Sequence, residues 1–479
     1  MPQPLHRRDL LKALGATGGA LGLTQLGTHL AAAAPAADQG QPTVAFQRDL
    51  PVRREVDVFV AGGGPAGVAA AVSARNQGAS VYLAEAHTCL GGMGTAARVP
   101  VFMPLTDGVH FLPGGFGEQV VKRLKQETAT RNCRGIDAEA LKRVYDALMT
   151  EVGAEFTFYT TLVAVQAEQG RVSHVICAAP SGLFAVRAKV YVDATGNGDL
   201  ATWAGAAFEK GDEKGNLMPG TLCSVWAGID WETWYAARPK GPQPDGSMLE
   251  KAFADGVFTV KDEHLTGMYR TGDHTGGGNI GHTFDVDATD EVSLTKALVW
   301  GRRSMTEYQR YYSQYLKGFE NLQLVGTGSL LGVRETRRIL GDYVLSLADY
   351  KRRATFPDEI GRYAYPIDNH PLRPGKDTYE QHRKEFDAEL KYAKGESYGI
   401  PYRILTPSAL QNVLVAGRCV SADRMVHGSL RVMPGCFITG QAAGVAAAMA
   451  AAAGQSTHQV DVKQLQQRLK AVGGYLPNA

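Results

Sequence analysis

Apolar residues along the chain gather with two different periods, and the alternation between them predicts the fold. Val58, Phe59 and Val60 form a short apolar run that stops at glycines, the pattern of a strand buried on both faces of a parallel sheet. Val56 extends the run, and Asp57 interrupts it, which places Asp57 at the solvated entry of the strand. Beyond Gly62 the pattern becomes that of an alanine-rich helix, which ends at a turn around Gly78. A second strand comes next over Ser80–Leu83, closed by Glu85. Another apolar strand begins at Ala188 and breaks into Asp193, Ala194, Thr195 and Gly196. Val413–Ala416 is a fourth, followed by a loop and a helix. Pro434 suits the first turn of that helix, which runs to about Ala453 with Gly440 and Gly444 on one close-packing face. Strands alternating with helices in this way predict an α/β fold.

Length and composition narrow the class. The chain has 479 residues, 44% hydrophobic and 20% charged, which is globular and too long for one core, so two or three domains are expected. The formal net charge is +2, and residues 1–37 alone account for it through Arg7, Arg8 and Lys12 against Asp9. The remainder is near neutral, which favours neither nucleic acid nor an anionic membrane as partner. Arg7 and Arg8, a short glycine-rich apolar stretch and the small residues Ala31–Ala37 resemble a twin-arginine signal peptide, an address for export of a folded protein to the periplasm or beyond. No later stretch reads as a transmembrane helix. The six cysteines form no CxxC and no zinc spacing, and most read as small buried residues.

The chemistry is concentrated in Gly62-x-Gly64-x-x-Gly67, set between the first strand and the first helix. Gly62 permits the tight turn, Gly64 lets the backbone approach a pyrophosphate, and Gly67 lets helix and strand lie close. The helix that starts at Pro65 and Ala66 presents the free N–H groups of its first turn, to which Pro65 itself adds none, to phosphate. Glu85, 18 residues after Gly67, is placed to accept ribose hydroxyls. The motif is common to NAD and FAD sites. Three further blocks favour flavin: Leu90–Thr95 with Gly91, Gly92 and Thr95; the turn at Thr195 and Gly196; and Gly417 and Arg418, ahead of the helix start at Gly435 and Cys436.

Together these blocks resemble the FAD-dependent oxidoreductase family of glutathione-reductase-like flavoproteins, distantly related to the fumarate reductase and succinate dehydrogenase flavoproteins. Gly326–Tyr350, Tyr363–His370 and Tyr398–Pro407 also look like this family. The resemblance implies a Rossmann-like, discontinuous FAD-binding domain over residues 50–205 and 405–454. An inserted α+β substrate or cap domain would span 206–404, and a C-terminal tail 455–479. FAD is the implied cofactor. Some relatives attach flavin through a histidine in this region, which brings in His87, beside Cys89.

A flavin does its own hydride chemistry, so the protein is expected to add position, charge and one proton-transfer group. His370, two residues after Asp368 in an extended segment, is the first candidate. His427 and Arg431 precede the late helix on a loop expected to cross the flavin, where Arg431 would stabilise a flavin or substrate anion. Arg334–Arg338 reads as the start of an amphipathic helix that brings Arg334 or Arg337 to the site. Thr271–Asp290, rich in glycine, reads as a loop closing over substrate, and its acids match no calcium pattern, so no metal is assigned. Trp226, Trp231, Trp234 and Tyr235 suit either a core or an apolar substrate face.

The expected activity is that of an exported FAD-dependent dehydrogenase or oxidase acting on a small organic substrate. Its electrons would pass to a quinone, a cytochrome or oxygen. Reduction of a C=C bond, and a flavin-binding component without turnover, remain as alternatives.

Overall fold

The computed structural model describes residues 42–128, 135–238, 246–385 and 390–479. The chain divides into two units, Met1–Thr43 and Val44–Ala479, and the elements below belong to the second. Arg7, Arg8 and the rest of the expected signal, with Cys133, lie outside the described residues.

The apolar runs seen in the sequence become the middle of one sheet. Strand β1 (Val52–Ala61) leads through the glycine loop into helix α1 (Pro65–Asn76) and returns as β2 (Val81–Ala84). β3 (Glu155–Thr157), β4 (Thr161–Glu168), β5 (Arg171–Ala179) and β6 (Gly182–Asp193) come next. The sheet order is β3-β2-β1-β6-β5-β4, with one late strand also beside β6. β1 pairs in parallel with β2 and with β6, and Val58, Phe59 and Val60 are fully buried between them. β4 and β5 form an antiparallel extension.

A second, four-stranded sheet is built from the middle of the chain: β7 (Ser224–Ala227), β8 (Leu265–Arg270), β9 (Thr275–Ile280) and, after helix α2 (Glu291–Tyr315), β10 (Gln323–Thr327). Trp226, Trp231 and Trp234 are buried there in a separate cluster with Tyr311, Tyr312 and Phe319, so they serve as core, while Tyr235 is exposed. The glycine-rich segment expected as a closing loop is instead partly β9. A Cβ on Gly277 would stand 2.3 Å from Pro100 Cβ, so its glycines serve close packing of a strand.

The chain then returns to the first sheet. β11 (Val413–Val415) pairs in parallel with β6, helix α3 covers Arg424–Leu430, and helix α4 covers Met433–Ala453. α4 is long and apolar enough to cross a membrane, yet 89% of its apolar window is buried inside the protein. It packs on α1 through its glycines: a Cβ would stand 2.3 Å from the Ala66 carbonyl at Gly440 and 2.1 Å from the Ala70 carbonyl at Gly444. Residues 455–479 include a further helix, Val462–Ala471, whose Leu465 and Leu469 are buried.

Arg334–Arg338 departs from expectation. It forms no helix, and Arg337–Ile339 is a strand that pairs with Phe208–Lys210. Glu335 does bond Arg338 at 2.7 Å, but Arg424 and the Met218 N–H share the same buried carboxylate. Tertiary partners for Glu335 override the helical pattern of the charges.

Candidate functional site

A cavity of about 440 Å³ runs along the ends of β1, β2 and β6 to the start of α4. Its first wall is the glycine loop. Gly62 has φ +89°, and a Cβ there would stand 2.8 Å from the Ala194 carbonyl. A Cβ on Gly67 would stand 1.9 Å from the Gly62 carbonyl, so Gly67 is a packing glycine behind the cavity. A Cβ on Gly64 meets nothing within 4 Å. Gly64 caps α1 without any side-chain hydrogen bond, and Pro65 and Ala66 line the cavity beside it. An open cradle at an uncapped helix start fits a pyrophosphate.

Glu85 stands where β2 ends. Its carboxylate accepts from the Gly63 N–H at 2.6 Å and the His87 N–H at 2.8 Å. That fixes the acid beside the glycine loop, with lone pairs left for a ribose. Gly92 lines the cavity, whereas Gly91 and Thr95 lie behind it: Thr95 donates to the Leu90 carbonyl at 2.6 Å and holds the turn. His87 and Cys89 also line the cavity.

Thr195, Gly196, Gly417, Arg418 and Cys436 form the next stretch of wall. Arg418 donates to the Gly196 carbonyl, the Val333 carbonyl and Asn197 Oδ1 at 2.8–2.9 Å. Its guanidinium is therefore committed to holding three segments together. Asp193 lies under this turn, accepting from Thr195 and from the Ala201 N–H, and burial pushes its carboxyl up to about 6. Gly435 lies behind the wall, where a Cβ would stand 2.2 Å from the Leu430 carbonyl.

The far end of the cavity is polar and comes from distant segments. Arg334 is buried and donates to the Pro219 carbonyl at 2.8 Å and Thr221 Oγ1 at 3.0 Å. Burial, then Arg431, pushes its guanidinium down to about 10, so it stays charged at neutral pH. Arg431 donates to the Asp368 carbonyl at 2.7 Å, and its buried Nε has no partner among the described residues. His370 Nε2 lies 3.3 Å from Asp368 Oδ1. Burial pushes the His370 imidazole well down, with Arg334 adding to it and Asp368 opposing.

Arg334, Arg431 and His370 therefore meet at one place, and His427 does not join them. His427 lies in α3, a helix rather than the expected loop, behind the cavity wall. Its Nε2 is 2.9 Å from the Arg418 carbonyl, and burial holds its imidazole neutral, so it positions Arg418. His264, Tyr269 and Tyr365 also line the polar end. Sequence spacing gave no sign of His264, which reaches the site only because β8 and β9 pair with Leu265 opposite Ile280.

The model of the family described as "FAD dependent oxidoreductase" matches residues 57–469. None of the curated proteins is detectably similar to the chain. Among solved structures, the chain is similar to a geranylgeranyl bacteriochlorophyll reductase-like protein from Thermoplasma acidophilum, at 14% identity over 88% of this chain and 83% of that one, TM-score 0.42. It is also similar to p-nitrophenol 4-monooxygenase from Pseudomonas putida, at 12% identity over 88% of both chains, TM-score 0.44. A flavin-dependent brominase triple mutant matches at 12% identity over 87% of this chain and 84% of that one, TM-score 0.43.

Proposed function

The chain belongs to the FAD-dependent oxidoreductase family, and from that premise we propose that it oxidises or reduces a small anionic organic substrate held against the flavin by Arg334 and Arg431. FAD, when bound, supplies two-electron hydride chemistry. The residues that would hold it are the Gly62–Gly67 loop and the start of α1 at the pyrophosphate, Glu85 at the ribose, and the Thr195–Gly196 and Gly417–Cys436 walls beyond.

The chain's own part lies at the other end of the cavity. Arg334 and Arg431 set two cations in a buried wall, where a substrate carboxylate is oriented by charge-assisted hydrogen bonds. His370 holds or gives the proton that accompanies the hydride, and Asp368 orients its ring. The observation behind this reading is that one cavity is lined both by the glycine loop with Glu85 and by His370, Arg334 and Arg431. Export through the twin-arginine route, and passage of electrons to a quinone, a cytochrome or oxygen, belong to the same proposal.

The test is anaerobic mixing of the yellow protein with small organic acids and their neutral analogues. Bleaching of the flavin by an acid, and not by its ester or amide, is the expected result. Bleaching by neutral compounds alone would overturn the assignment of Arg334 and Arg431.

A further inference from the structure

Three histidines from separate segments meet at the polar end: His264, His282 and His370, whose ligand atoms all lie within 4.8 Å of one another. Such a cluster suggests a metal, but the ring geometry opposes one. His264 and His282 stack at 13° with centroids 4.1 Å apart. A metal lies in the plane of each imidazole that binds it, and two stacked planes share no such point.

A different order is present. His282 Nε2 and His370 Nδ1 face each other at 2.9 Å. The outer nitrogens both meet carboxylates: His282 Nδ1 lies 3.3 Å from Asp262 Oδ1, and His370 Nε2 lies 3.3 Å from Asp368 Oδ1. Asp262 is itself held, accepting from the His282 N–H at 2.8 Å, the His264 N–H at 3.0 Å and the Tyr379 hydroxyl.

Each of the three contacts in the row Asp262–His282–His370–Asp368 needs one N–H. Two neutral imidazoles bring only two, and the Tyr379 hydroxyl, 3.2 Å from His282 Nδ1, gives its proton to Asp262, so one nitrogen lone pair is left facing an acceptor. A third proton completes every contact and makes the pair a single cation between two carboxylates.

We propose that His282 and His370 act as one proton-holding unit, taking up a single proton shared between them and exchanging it with the cavity through His370 Nε2. In the charged form the pair holds three N–H protons. Release breaks the His370 Nε2–H bond and forms a bond to a basic atom in the cavity. The shared proton then rests on His370 Nδ1, and both rings are neutral. Uptake reverses these steps, so no oxidant or further reactant is needed. His370 touches the cavity, and His282 is a positioning residue that acts through it.

The charged and titratable groups facing the pair are Asp262 and Tyr379 beside His282, the stacked His264, and Asp368, Arg334 and Arg431 around His370. Burial and Arg334 push both imidazoles down, while the two carboxylates push them up. Burial outweighs the carboxylates at both rings, so the unit takes up its proton less readily than a free imidazole. This inference rests on the proposed function only for where the proton goes.

The experiment is a pH titration of the flavin-loaded protein, labelled with nitrogen-15 in its histidine rings, followed by NMR. The His282 and His370 signals are expected to move together in one step, with an apparent midpoint below the ordinary histidine value of about 6.5. His282→Gln and Asp262→Asn are each expected to shift the His370 midpoint by about one pH unit or more, since each removes part of what holds the proton. Retained flavin absorbance shows that a variant is folded, and Asp262→Asn reads the same coupling if His282→Gln does not fold. An unchanged His370 titration in the folded variants would overturn the proposal. No substrate is present, so the result is independent of the reading of the reaction.

Discussion

The Gly63 N–H donates to the Glu85 carboxylate at 2.6 Å, and this bond ties the acid at the end of β2 to the glycine loop. The His87 N–H occupies the other oxygen. Glu85→Ala leaves two N–H groups without their acceptor, each worth about 1–3 kcal/mol when buried. The variant is expected to bind FAD at least roughly tenfold more weakly and to melt at a lower temperature. Fluorescence titration of the apoprotein with FAD and a thermal melt measure the two effects.

Gly64 and Gly67 separate ligand binding from folding. A Cβ on Gly64 meets open space, and one on Gly67 meets the Gly62 carbonyl at 1.9 Å. Gly64→Ala should therefore leave the apoprotein's melting temperature within about a degree while weakening FAD by roughly ten- to a hundredfold. Gly67→Ala should lower apoprotein stability by about 3 kcal/mol or more. Equal loss of stability in both would contradict the assignment of the cradle.

His370 and His427 are expected to behave differently. His370→Asn should slow flavin bleaching by substrate by about 10²–10⁴-fold, with the flavin still bound, because a proton-transfer group is lost. His427→Asn removes the contact with the Arg418 carbonyl from behind the wall. It should cost about 1 kcal/mol in stability and change the bleaching rate by only a few fold. Stopped-flow absorbance and melting curves check both.

Much of the cofactor half was legible in the chain, because a strand, a glycine turn and a helix are local in sequence. Val58–Val60, Gly62–Gly67, Glu85 and the Met433–Ala453 helix each come from a run of a few dozen residues or fewer. The polar half was not legible in the same way. His282 and His370 are 88 positions apart, and only the β8–β9 pairing and the return of the chain to the first sheet bring their segments together. Local charge spacing misled at Arg334–Arg338, where the buried Glu335 takes partners from Met218 and Arg424. Glycine content misled at Thr271–Asp290, since close packing against Pro100 asks for the same residue as a flexible loop.

Asp193 predicts a pH effect on stability. Burial raises its folded carboxyl to about 6, above its unfolded value near 3.8. The folded state therefore binds this proton more tightly. The stability it contributes is fully present below the unfolded value and is lost as pH rises through the folded one. The loss between about pH 4 and 6 is on the order of 2 kcal/mol. Asp193→Asn removes the titration, so its stability deficit relative to the wild type should be larger at pH 4 than at pH 7. Urea unfolding at the two values reads this directly.

The cavity that begins at Gly62, Gly64 and Glu85 is the place assigned to FAD, and the roles given to Arg334, Arg431 and His370 in the proposed reaction depend on it. The most direct test is the visible spectrum of the purified protein, with the apoprotein and added FAD alongside. Bands near roughly 370 and 450 nm are predicted, as for any oxidised flavin, with one FAD per chain and much less in Gly64→Ala. A colourless protein that gains no such bands on incubation with FAD would contradict the assignment, and the Gly62–Gly67 cradle would then belong to another phosphate ligand.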